Sequence, residues 1–324
     1  MGIEKEIWAE IKAAKRILIT AHERVDGDGV GSELALRQMA LEAGVEVEIV
    51  NDGEVPATYR FLPGVETVRM AAKGLEKPVD LVVALDSATR QRLRNVNDVI
   101  PENIKIINID HHVSNTNFGD LNWVDSEASS TGEMLFAFAR ANDLNLSPEI
   151  ATCLYTAIIT DTGRFCYSNT HPKTHRSIAE LIEAGARPSE ISRRIYREER
   201  LNVLNLKRLA TATLDFKMNG AIAWMDVSED MHQQTETDYL DTQDFVDIPK
   251  SIKGAKVGLL FREIAGDGKI RVSLRSEGHA DVNEIAMKFG GGGHMRASGC
   301  TVDGTLKDAH EKVLAEVVKA MESK

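Results

Sequence analysis

Residues 104–115 read IKIINIDHHVSN, an isoleucine-rich strand pattern that ends in three consecutive polar side chains. Asp110, His111 and His112 directly follow Ile109. The buried interior of a sheet has no use for three such groups, because each of them would need a hydrogen-bonding partner or an ion. A site that binds a metal ion or a phosphate does use them. The end of this strand is therefore the first candidate functional site.

The first half of the chain alternates strand and helix patterns around this stretch. Three further apolar segments are typical of buried strands: RILITAH (16–22), VEVEIVND (45–52) and VDLVVALD (79–86). Helical patterns cover GSELALRQMALEAG (31–44), Thr131–Asn142, Pro148–Ile159 and Pro172–Ala184. This alternation predicts an α/β domain with a doubly wound, mostly parallel sheet, and a ligand site at the carboxyl ends of its strands.

The second half of the chain has a different pattern. Residues 187–205 are charged and helical, and shorter strands with hairpin turns follow at Asn219-Gly220 and around Gly266–Gly268. We therefore expect a smaller α+β domain at the C-terminal end. The predicted division is a metal-binding catalytic domain at 1–186, a helical linker at 187–205 and a substrate-binding domain at 206–324.

Composition limits the functions that the chain can have. Its 324 residues suit two domains, and a net charge of −11 argues against a protein that coats nucleic acid through a broad basic surface. No apolar run approaches the length of a membrane span. Three widely spaced cysteines without a CxxC pair indicate a reducing compartment, so we expect a cytoplasmic protein without a membrane partner.

A second polar cluster follows the first strand, in HERVDGDGVGS (22–32). Besides His22 it holds Asp26 and Asp28, and each of these carboxylates precedes a glycine. We expect Gly27 and Gly29 to form a turn in which the two carboxylates curl inward together. From this segment alone, an acidic turn that caps the following helix is as good an interpretation as a metal site.

Two familiar binding motifs do not fit this cluster. An EF-hand loop would need an oxygen ligand where Val30 stands and a glutamate where Arg37 stands. A dinucleotide-binding fingerprint would need a glycine in place of Ser32, and it would bring a pyrophosphate against two carboxylates.

Other predicted elements end in acids as well. Asp86 ends VDLVVALD, and Asp161 lies beyond an apolar helix in AIITDTGRF. In a parallel sheet the strand ends meet at one edge, where unpaired carboxylates would raise each other's pKa. Cations remove this repulsion, and a mixed imidazole and carboxylate set suits Mn²⁺, Mg²⁺ or a similar divalent ion more than it suits zinc held by thiolates. The ligands outnumber what one ion takes from a protein, so the sequence predicts two ions that activate a water.

The segment KFGGGGHMRASG (288–299) forms another cluster. Consecutive glycines let backbone N–H groups approach an anion closely. We expect an anion-binding site with these members: Gly291, Gly292, Gly293, His294 and Arg296. Arg262 and Arg275, on the two strands of the predicted hairpin, are further candidates for gripping phosphates, although a solvated surface charge is the commoner role of such an arginine.

The motifs HERVDGD, LDSA, DHH and TDTGRF, in this order, resemble those of the DHH phosphoesterase superfamily, and FGGGGHMRASG resembles the glycine-rich signature of its DHH-associated domain. Together they cover nearly the whole chain, and the two-domain length is most similar to the NrnA-type oligoribonuclease and nucleotide-phosphatase branch. The resemblance implies one ion held by His22, Asp26 and Asp86. It implies a second ion held by Asp28, Asp86, His111 and Asp161.

The same resemblance implies roles for the remaining residues. His112 would face the substrate phosphate or the leaving group, and Asp110 would support the histidines. The expected activity is hydrolysis of short oligoribonucleotides and of adenosine 3′,5′-bisphosphate, with two Mn²⁺ ions and Mg²⁺ or Co²⁺ as alternatives. A pyrophosphatase or exopolyphosphatase and a non-catalytic nucleotide- or RNA-binding module remain open. A homodimer is compatible with the sequence.

Overall fold

The structure is a computed structural model that describes residues 2–198, 200–242 and 244–322. The chain divides into two compact units, residues 1–198 and 199–324. No helix within the described ranges is long and apolar enough to cross a bilayer.

The first unit combines six strands with six α-helices in its described part. The strands are β1 (Arg16–Thr20), β2 (Glu46–Asn51), β3 (Val68–Met70), β4 (Leu81–Leu85), β5 (Lys105–Asp110) and β6 (Leu121–Val124). The helices are α1 (Ile3–Ala13), α2 (Gly27–Glu42), α3 (Thr131–Ala141), α4 (Pro148–Asp161), α5 (Pro172–Glu183) and α6 (Pro188–Tyr196).

The six strands form one sheet in the order β3-β2-β1-β4-β5-β6, and every neighbouring pair is parallel. The chain leaves β1 in one direction to build β2 and β3, and it builds β4, β5 and β6 on the other side. The order therefore reverses between β1 and β4, and such a switch point opens a crevice at the carboxyl ends of the strands. The predicted α/β class with a doubly wound parallel sheet is confirmed.

Both faces of the sheet are buried, which explains the continuous apolar runs of its central strands. Ile17 and Ile19 belong to the larger core, which also includes residues of α1 to α4. Leu18, between them, belongs to a smaller core that includes Leu93 and Val96 of a 3₁₀ segment. Because strand side chains alternate between the two faces, a one-residue shift of β1 would move each of its side chains to the opposite core.

The acidic segment after β1 is not the glycine turn that the sequence suggested. Residues 27–42 are α-helical, and Gly27 and Gly29 lie in the first turn of α2. Gly27 and Gly31, both in α2, are required for packing. A Cβ at Gly27 would lie 2.5 Å from the Thr160 hydroxyl of α4, and one at Gly31 would lie 2.5 Å from the Cys153 carbonyl oxygen. The glycines therefore let α2 lie directly against α4. Gly44, with φ of 84°, follows the end of α2 as predicted.

The second unit contains a second six-stranded sheet and five α-helices in its described part. The strands are β7 (Asp215–Lys217), β8 (Ile222–Val227), β9 (Val257–Ile264), β10 (Lys269–Ser276), β11 (Gly292–His294) and β12 (Ala297–Asp303). The helices are α7 (Leu201–Thr211), α8 (Glu229–Thr235), α9 (Asp247–Lys250), α10 (Val282–Met287) and α11 (Leu306–Glu322).

This sheet has the order β11-β12-β10-β9-β8-β7, and only the β8–β9 pair is parallel. The two hairpins predicted at Asn219-Gly220 and at Gly266–Gly268 are present as β7–β8 and β9–β10. In β10 the buried residues Ile270, Val272 and Leu274 alternate with partly exposed ones, so the predicted two-faced strand and the α+β class of this unit are confirmed.

The predicted helical linker, residues 187–205, covers α6 and the first residues of α7. The division of the chain into two compact units falls after residue 198. The domain limits drawn at 186 and 206, and the role of this stretch as a linker, stay predictions.

The contact between α2 and α4 generates a stability prediction. Gly31→Ala places a methyl group 2.5 Å from the Cys153 carbonyl oxygen and 3.0 Å from the Ala157 Cβ. Overpacking of this kind should lower the free energy of unfolding by about 1–3 kcal/mol, despite the better helix propensity of alanine. Urea denaturation measures the change. Gly53→Ala is the control, because nothing lies within 4 Å of its added Cβ; equal stability of the two variants would contradict the packing account.

Candidate metal centre

Seven of the predicted site residues meet at the carboxyl ends of β1, β4 and β5. His22 follows β1, Asp86 follows β4 and His111 follows β5, while Asp161 ends α4. Three groups of acids and histidines each bring three ligand atoms within 4.8 Å of one another. Their members are His22, Asp26 and Asp86; Asp28, His111 and Asp161; and Asp86, His111 and His112.

Asp86 lies between the other ligand groups. Its Oδ2 is 3.4 Å from His22 Nε2, and its Oδ1 is 3.6 Å from His111 Nε2. The same Oδ1 is 3.5 Å from His112 Nδ1. A carboxylate whose two oxygens face different histidines can serve two ions at once, so Asp86 has the geometry of a bridging ligand.

The remaining contacts of the two outer groups are similarly short. His22 Nε2 is 3.8 Å from Asp26 Oδ2. His111 Nε2 is 3.8 Å from Asp28 Oδ2 and 3.5 Å from Asp161 Oδ2. These separations leave room for an ion between the paired atoms, because metal–ligand bonds of such ions are about 2 Å long.

Asp28 is held by the amino end of α3. The backbone N–H groups of Thr131 and Gly132 donate to its two carboxylate oxygens, each at 2.8 Å. Asp26 caps α2 by accepting from the backbone N–H groups of Asp28 and Gly29. Helix amino ends favour negative charge, so both carboxylates are fixed by dipoles of neighbouring helices.

Asp86 adopts a left-handed backbone conformation with φ of 51°. Few residues other than glycine adopt this conformation, asparagine and aspartate most readily among them, and such residues often occur at functional sites. The Thr131 hydroxyl donates to Asp86 Oδ1 at 3.2 Å, and the Asp86 N–H donates to the Ile109 carbonyl oxygen at 3.0 Å. The strand end and α3 together fix the direction of this side chain.

Asp161 is the last residue of α4, so its carboxylate lies at the negative end of a helix. The Asn169 side-chain amide holds it by donating to its Oδ2 at 3.3 Å and to its backbone oxygen at 3.2 Å. The same amide donates to the Ser129 carbonyl oxygen at 2.8 Å.

Asp110 is completely buried and contacts His112 rather than the outer ligands. Its Oδ1 accepts from His112 Nδ1 at 2.7 Å, and its Oδ2 accepts from the Asn115 amide at 2.5 Å. A carboxylate bound to one ring nitrogen fixes the tautomer and leaves Nε2 of His112 for another partner.

The carboxylates are in electrostatic conflict. Burial and the charges of Asp86 and Asp161 raise the pKa of Asp28 well above its ordinary value. Burial raises the pKa of Asp161 to about 6, with Asp26 and Asp86 adding to the effect and His111 opposing it. Each of these acids would be more stable ionised if a cation lay beside it.

The histidines compensate for part of this charge. Burial opposes protonation of His22, but its contacts with Asp26 and Asp86 outweigh burial and raise its pKa to about 10. Burial also opposes protonation of His112, while Asp110 and Asp86 raise its pKa. The donor set therefore fits divalent cations: four carboxylates and two imidazoles converge in a pocket that lacks enough positive charge of its own.

The predicted anion-binding residues lie in the second unit. Arg275 pairs with Ala297 across β10 and β12, next to Arg296. Gly292, Gly293 and His294 form β11, an exposed strand at the sheet edge. A Cβ at Gly291 would lie 2.2 Å from the Gly299 carbonyl oxygen, and one at Gly293 would lie 2.6 Å from that of Ala297. Close packing against β12 is thus a second reason for the glycines.

Arg262 differs from a solvated surface arginine, because it is only 4% exposed. Its guanidinium donates to the Thr242 hydroxyl at 3.1 Å and to the Ser273 hydroxyl at 2.8 Å, and it lies 4.4 Å from the centre of the Tyr239 ring. Burial among hydroxyl groups was not visible in the alternating pattern of the hairpin.

Three residues that support the site were missed by sequence reasoning: Thr131, Asn115 and Asn169. Asn115 belongs to the opening motif IDHHVSN, so its position five residues after Asp110 was an available signal. Thr131 and Asn169 lie far along the chain from Asp86 and Ser129, and no local pattern marks them. His171 is the N-cap of α5 and lies outside the ligand groups.

Comparisons with known proteins find matches over both halves of the chain. The model of the DHH family, N-terminal domain, matches residues 16–158, and the model of the DHHA1 domain matches residues 219–323. A curated relative from Thermus thermophilus, named bifunctional oligoribonuclease and PAP phosphatase NrnA, is 32% identical over 97% of this chain and 95% of its own. A Bacillus subtilis protein of the same name is 30% identical over 97% of both chains.

A solved structure is similar over the whole chain as well. The crystal structure of an exopolyphosphatase-related protein from Bacteroides fragilis has a TM-score of 0.90, with 27% sequence identity. The match covers 99% of this chain and 96% of that one.

The raised pKa of Asp161 predicts a pH dependence of stability. A carboxyl that binds its proton more tightly in the folded state contributes stability below its ordinary pKa of 3.8, and this contribution is lost as the pH rises through about 6. In buffer with EDTA, the wild type should therefore lose stability over this range relative to Asp161→Asn. The expected difference in melting temperature at pH 7 is about 2–6 °C, measured by thermal unfolding.

Manganese should reverse this order at pH 7, because an ion stabilises the state that binds it. The wild type should gain more stability from Mn²⁺ than Asp161→Asn does. If Asp161→Asn were less stable than the wild type in EDTA at every pH, repulsion between the carboxylates would not be what destabilises the metal-free protein.

Proposed function

The chain belongs to the DHH family, as its motifs indicated, and on this premise we propose that it is a metal-dependent phosphoesterase. It hydrolyses short oligoribonucleotides to mononucleotides and adenosine 3′,5′-bisphosphate to AMP. The printed names of its NrnA relatives describe an oligoribonuclease and a PAP phosphatase. The observation that carries the proposal is the position of Asp86, whose two carboxylate oxygens face His22 and His111.

Two divalent ions fit the two outer ligand groups. His22, Asp26 and Asp86 would hold one ion, and Asp28, Asp86, His111 and Asp161 would hold the other. Mn²⁺ is the proposed metal, with Mg²⁺ or Co²⁺ as alternatives, since imidazole and carboxylate ligands in such a mixture suit these ions. When bound, the ions would supply a water of lowered pKa and would neutralise negative charge on the phosphate.

The chain's own residues complete the chemistry. His112 is proposed to face the scissile phosphate or the leaving oxygen, with Asp110 holding its Nδ1 at 2.7 Å. The contact keeps Nε2 directed away from Asp110, and the raised pKa of His112 keeps the ring able to donate a proton to the departing oxygen. Asp110 acts through His112 and is a positioning residue.

The second unit is proposed to bind the nucleotide. Gly291, Gly292 and Gly293 leave the edge of β11 free of side chains, and His294, Arg296 and Arg275 add donors and positive charge near it. Arg262, fixed by Thr242 and Ser273, is proposed as a further phosphate contact. A substrate of a few nucleotides suits an acidic chain, because only a few phosphates need local contacts.

A second candidate function is hydrolysis of polyphosphate. The exopolyphosphatase-related title of the Bacteroides fragilis structure favours it. A polyphosphate has no nucleoside, however, and the exposed glycine strand leaves space that such a substrate would not fill. A non-catalytic nucleotide- or RNA-binding role would not explain why the acids and histidines of the candidate metal centre lie together.

Cellular location and assembly are also matters of proposal. The three cysteines are free thiols, which fits a reducing compartment, and we propose a cytoplasmic enzyme that needs no membrane partner. The homodimer considered from the sequence stays a prediction.

Asp86→Asn tests the metal centre. Asparagine tolerates the left-handed conformation at this position but has only one oxygen and no charge, so it cannot serve two ions. Hydrolysis of a diribonucleotide with Mn²⁺ should fall by at least about a thousandfold, while the circular dichroism spectrum stays unchanged.

Asp98→Asn is the matched control for this test. Asp98 is an exposed aspartate of the 3₁₀ segment after β4, outside the ligand groups. It should keep wild-type activity. Substantial hydrolysis by Asp86→Asn would count against a bridging carboxylate.

A substrate comparison separates the candidate functions. With Mn²⁺ present, the protein should cleave diribonucleotides and adenosine 3′,5′-bisphosphate with a kcat/KM at least about a hundredfold above that for pyrophosphate or tripolyphosphate. Chromatography of the products measures each rate. The reverse order would favour the polyphosphatase, and tight binding of a labelled dinucleotide without turnover would favour the binding module.

A further inference from the structure

The loop that follows Asp161 is closed on itself beside the metal centre. The Tyr167 N–H donates to the Thr162 carbonyl oxygen at 3.0 Å. The Asn169 amide returns to the Asp161 carboxylate and backbone oxygen at 3.3 and 3.2 Å. Both ends of residues 162–169 are therefore tied to one ligand residue, and the loop cannot move far from the site.

The backbone of this loop has a rare conformation. Gly163, Arg164 and Phe165 have φ values of 53°, 62° and 65°, three left-handed residues in succession. Only one of them is glycine, and left-handed residues of other types seldom follow one another. Conformations of this kind persist where the surrounding structure enforces them, and they cluster at binding and catalytic sites.

The strained run presents the Tyr167 ring at the surface. A Cβ at Gly163 would lie 2.4–2.6 Å from atoms of this ring, so the ring lies directly on the glycine, two residues after Asp161. Tyr167 is nevertheless 51% exposed. An aromatic ring that is supported by backbone and open to solvent offers a flat surface to a planar ligand.

A cation lies on the same loop. The Arg164 guanidinium is 4.9 Å from the centre of the Tyr196 ring, and the Tyr196 hydroxyl donates to the Ile159 carbonyl oxygen at 3.5 Å. This contact holds an exposed arginine against Tyr196 without neutralising its charge. Aromatic rings combined with arginine are the common surface for single-stranded nucleic acids, because rings stack on bases and arginine contacts phosphates.

We propose that Tyr167 stacks on a nucleobase of the bound substrate and that Arg164 contacts an adjacent phosphate. The inference rests on the proposed function and deepens it, since it assigns recognition of a base to the catalytic unit itself. A phosphate held at the ligands beside Asp161 places its own nucleoside next to the loop. The Tyr167 ring, the stacking platform of this proposal, accepts any base because every base has a π-face. It therefore favours nucleotides over polyphosphate without favouring a particular base sequence.

The first test compares three substrates and three variants. Diadenylate and the same dinucleotide with either adenine removed are incubated with Mn²⁺ and the full-length protein. Tyr167→Ala should lower kcat/KM for diadenylate about tenfold or more, chiefly by raising KM. At least one abasic substrate should be cleaved by Tyr167→Ala as fast as the wild type cleaves that same substrate. Tyr167→Phe, which keeps the ring, should stay within about threefold of the wild type. Phe216→Ala removes an exposed aromatic of β7 and should change nothing.

Arg164→Ala distinguishes the two contacts. Loss of a phosphate contact should lower kcat/KM for the intact and the abasic substrates alike. The ratio of wild-type kcat/KM to that of Arg164→Ala should become smaller as salt is added. An Arg164→Ala variant with unchanged kcat/KM for all of them would remove the arginine from the proposal.

Two outcomes would overturn the stacking. One is wild-type cleavage of diadenylate by Tyr167→Ala, and the other is an equal loss on diadenylate and both abasic substrates. If the wild type cleaves no dinucleotide, the proposed function fails, and a dinucleotide containing 2-aminopurine still decides the inference. Its fluorescence should be quenched on binding to the wild type and not to Tyr167→Ala; equal quenching would reject the platform.

Discussion

Mutual repulsion between buried carboxylates is the constraint on which the first unit depends. Asp28 and Asp86 are each almost fully buried, and Asp161 approaches them through the same histidine. The fold positions this charge by directing the amino end of α3 at Asp28 and by placing histidines between the acids. The raised pKa values of Asp28 and Asp161 show that these measures are incomplete. Bound cations would neutralise the negative charge that remains on these carboxylates.

The sequence was informative where one local pattern set both the element and the ligand. In IKIINIDHH the isoleucines define the strand, and the residues that follow must then lie at the sheet edge. Parallel pairing brings separate strand ends together, so Asp86 and His111 could be associated before any coordinates were known. The three-residue β3 and the four-residue β6 were not predicted, because such short elements carry little periodicity.

Features that depend on contacts between distant elements could not be predicted. Gly27 and Gly29 suggested a turn, yet they lie in the first turn of α2, where Gly27 packs on Thr160 of α4, a helix that begins more than 100 residues after α2 ends. The same holds for the contact of Thr131 with Asp86 and for the contact of Asn169 with Ser129, which join residues 45 and 40 positions apart. Burial of Arg262 depends on Thr242 and Ser273, and the alternating pattern of its strand indicated only which face it shares.

The glycine-lined contact between α2 and α4 has a consequence for ion selectivity. Asp28 belongs to one helix of this pair and Asp161 to the other, and both approach His111. Because Gly27 and Gly31 have no side chains of their own, the spacing of the two helices is set by close contact of the α2 backbone with α4. Mg²⁺ demands shorter and more regular bonds than larger cations accept. We therefore propose that the spacing of α2 and α4 helps to determine which divalent ion the site accepts.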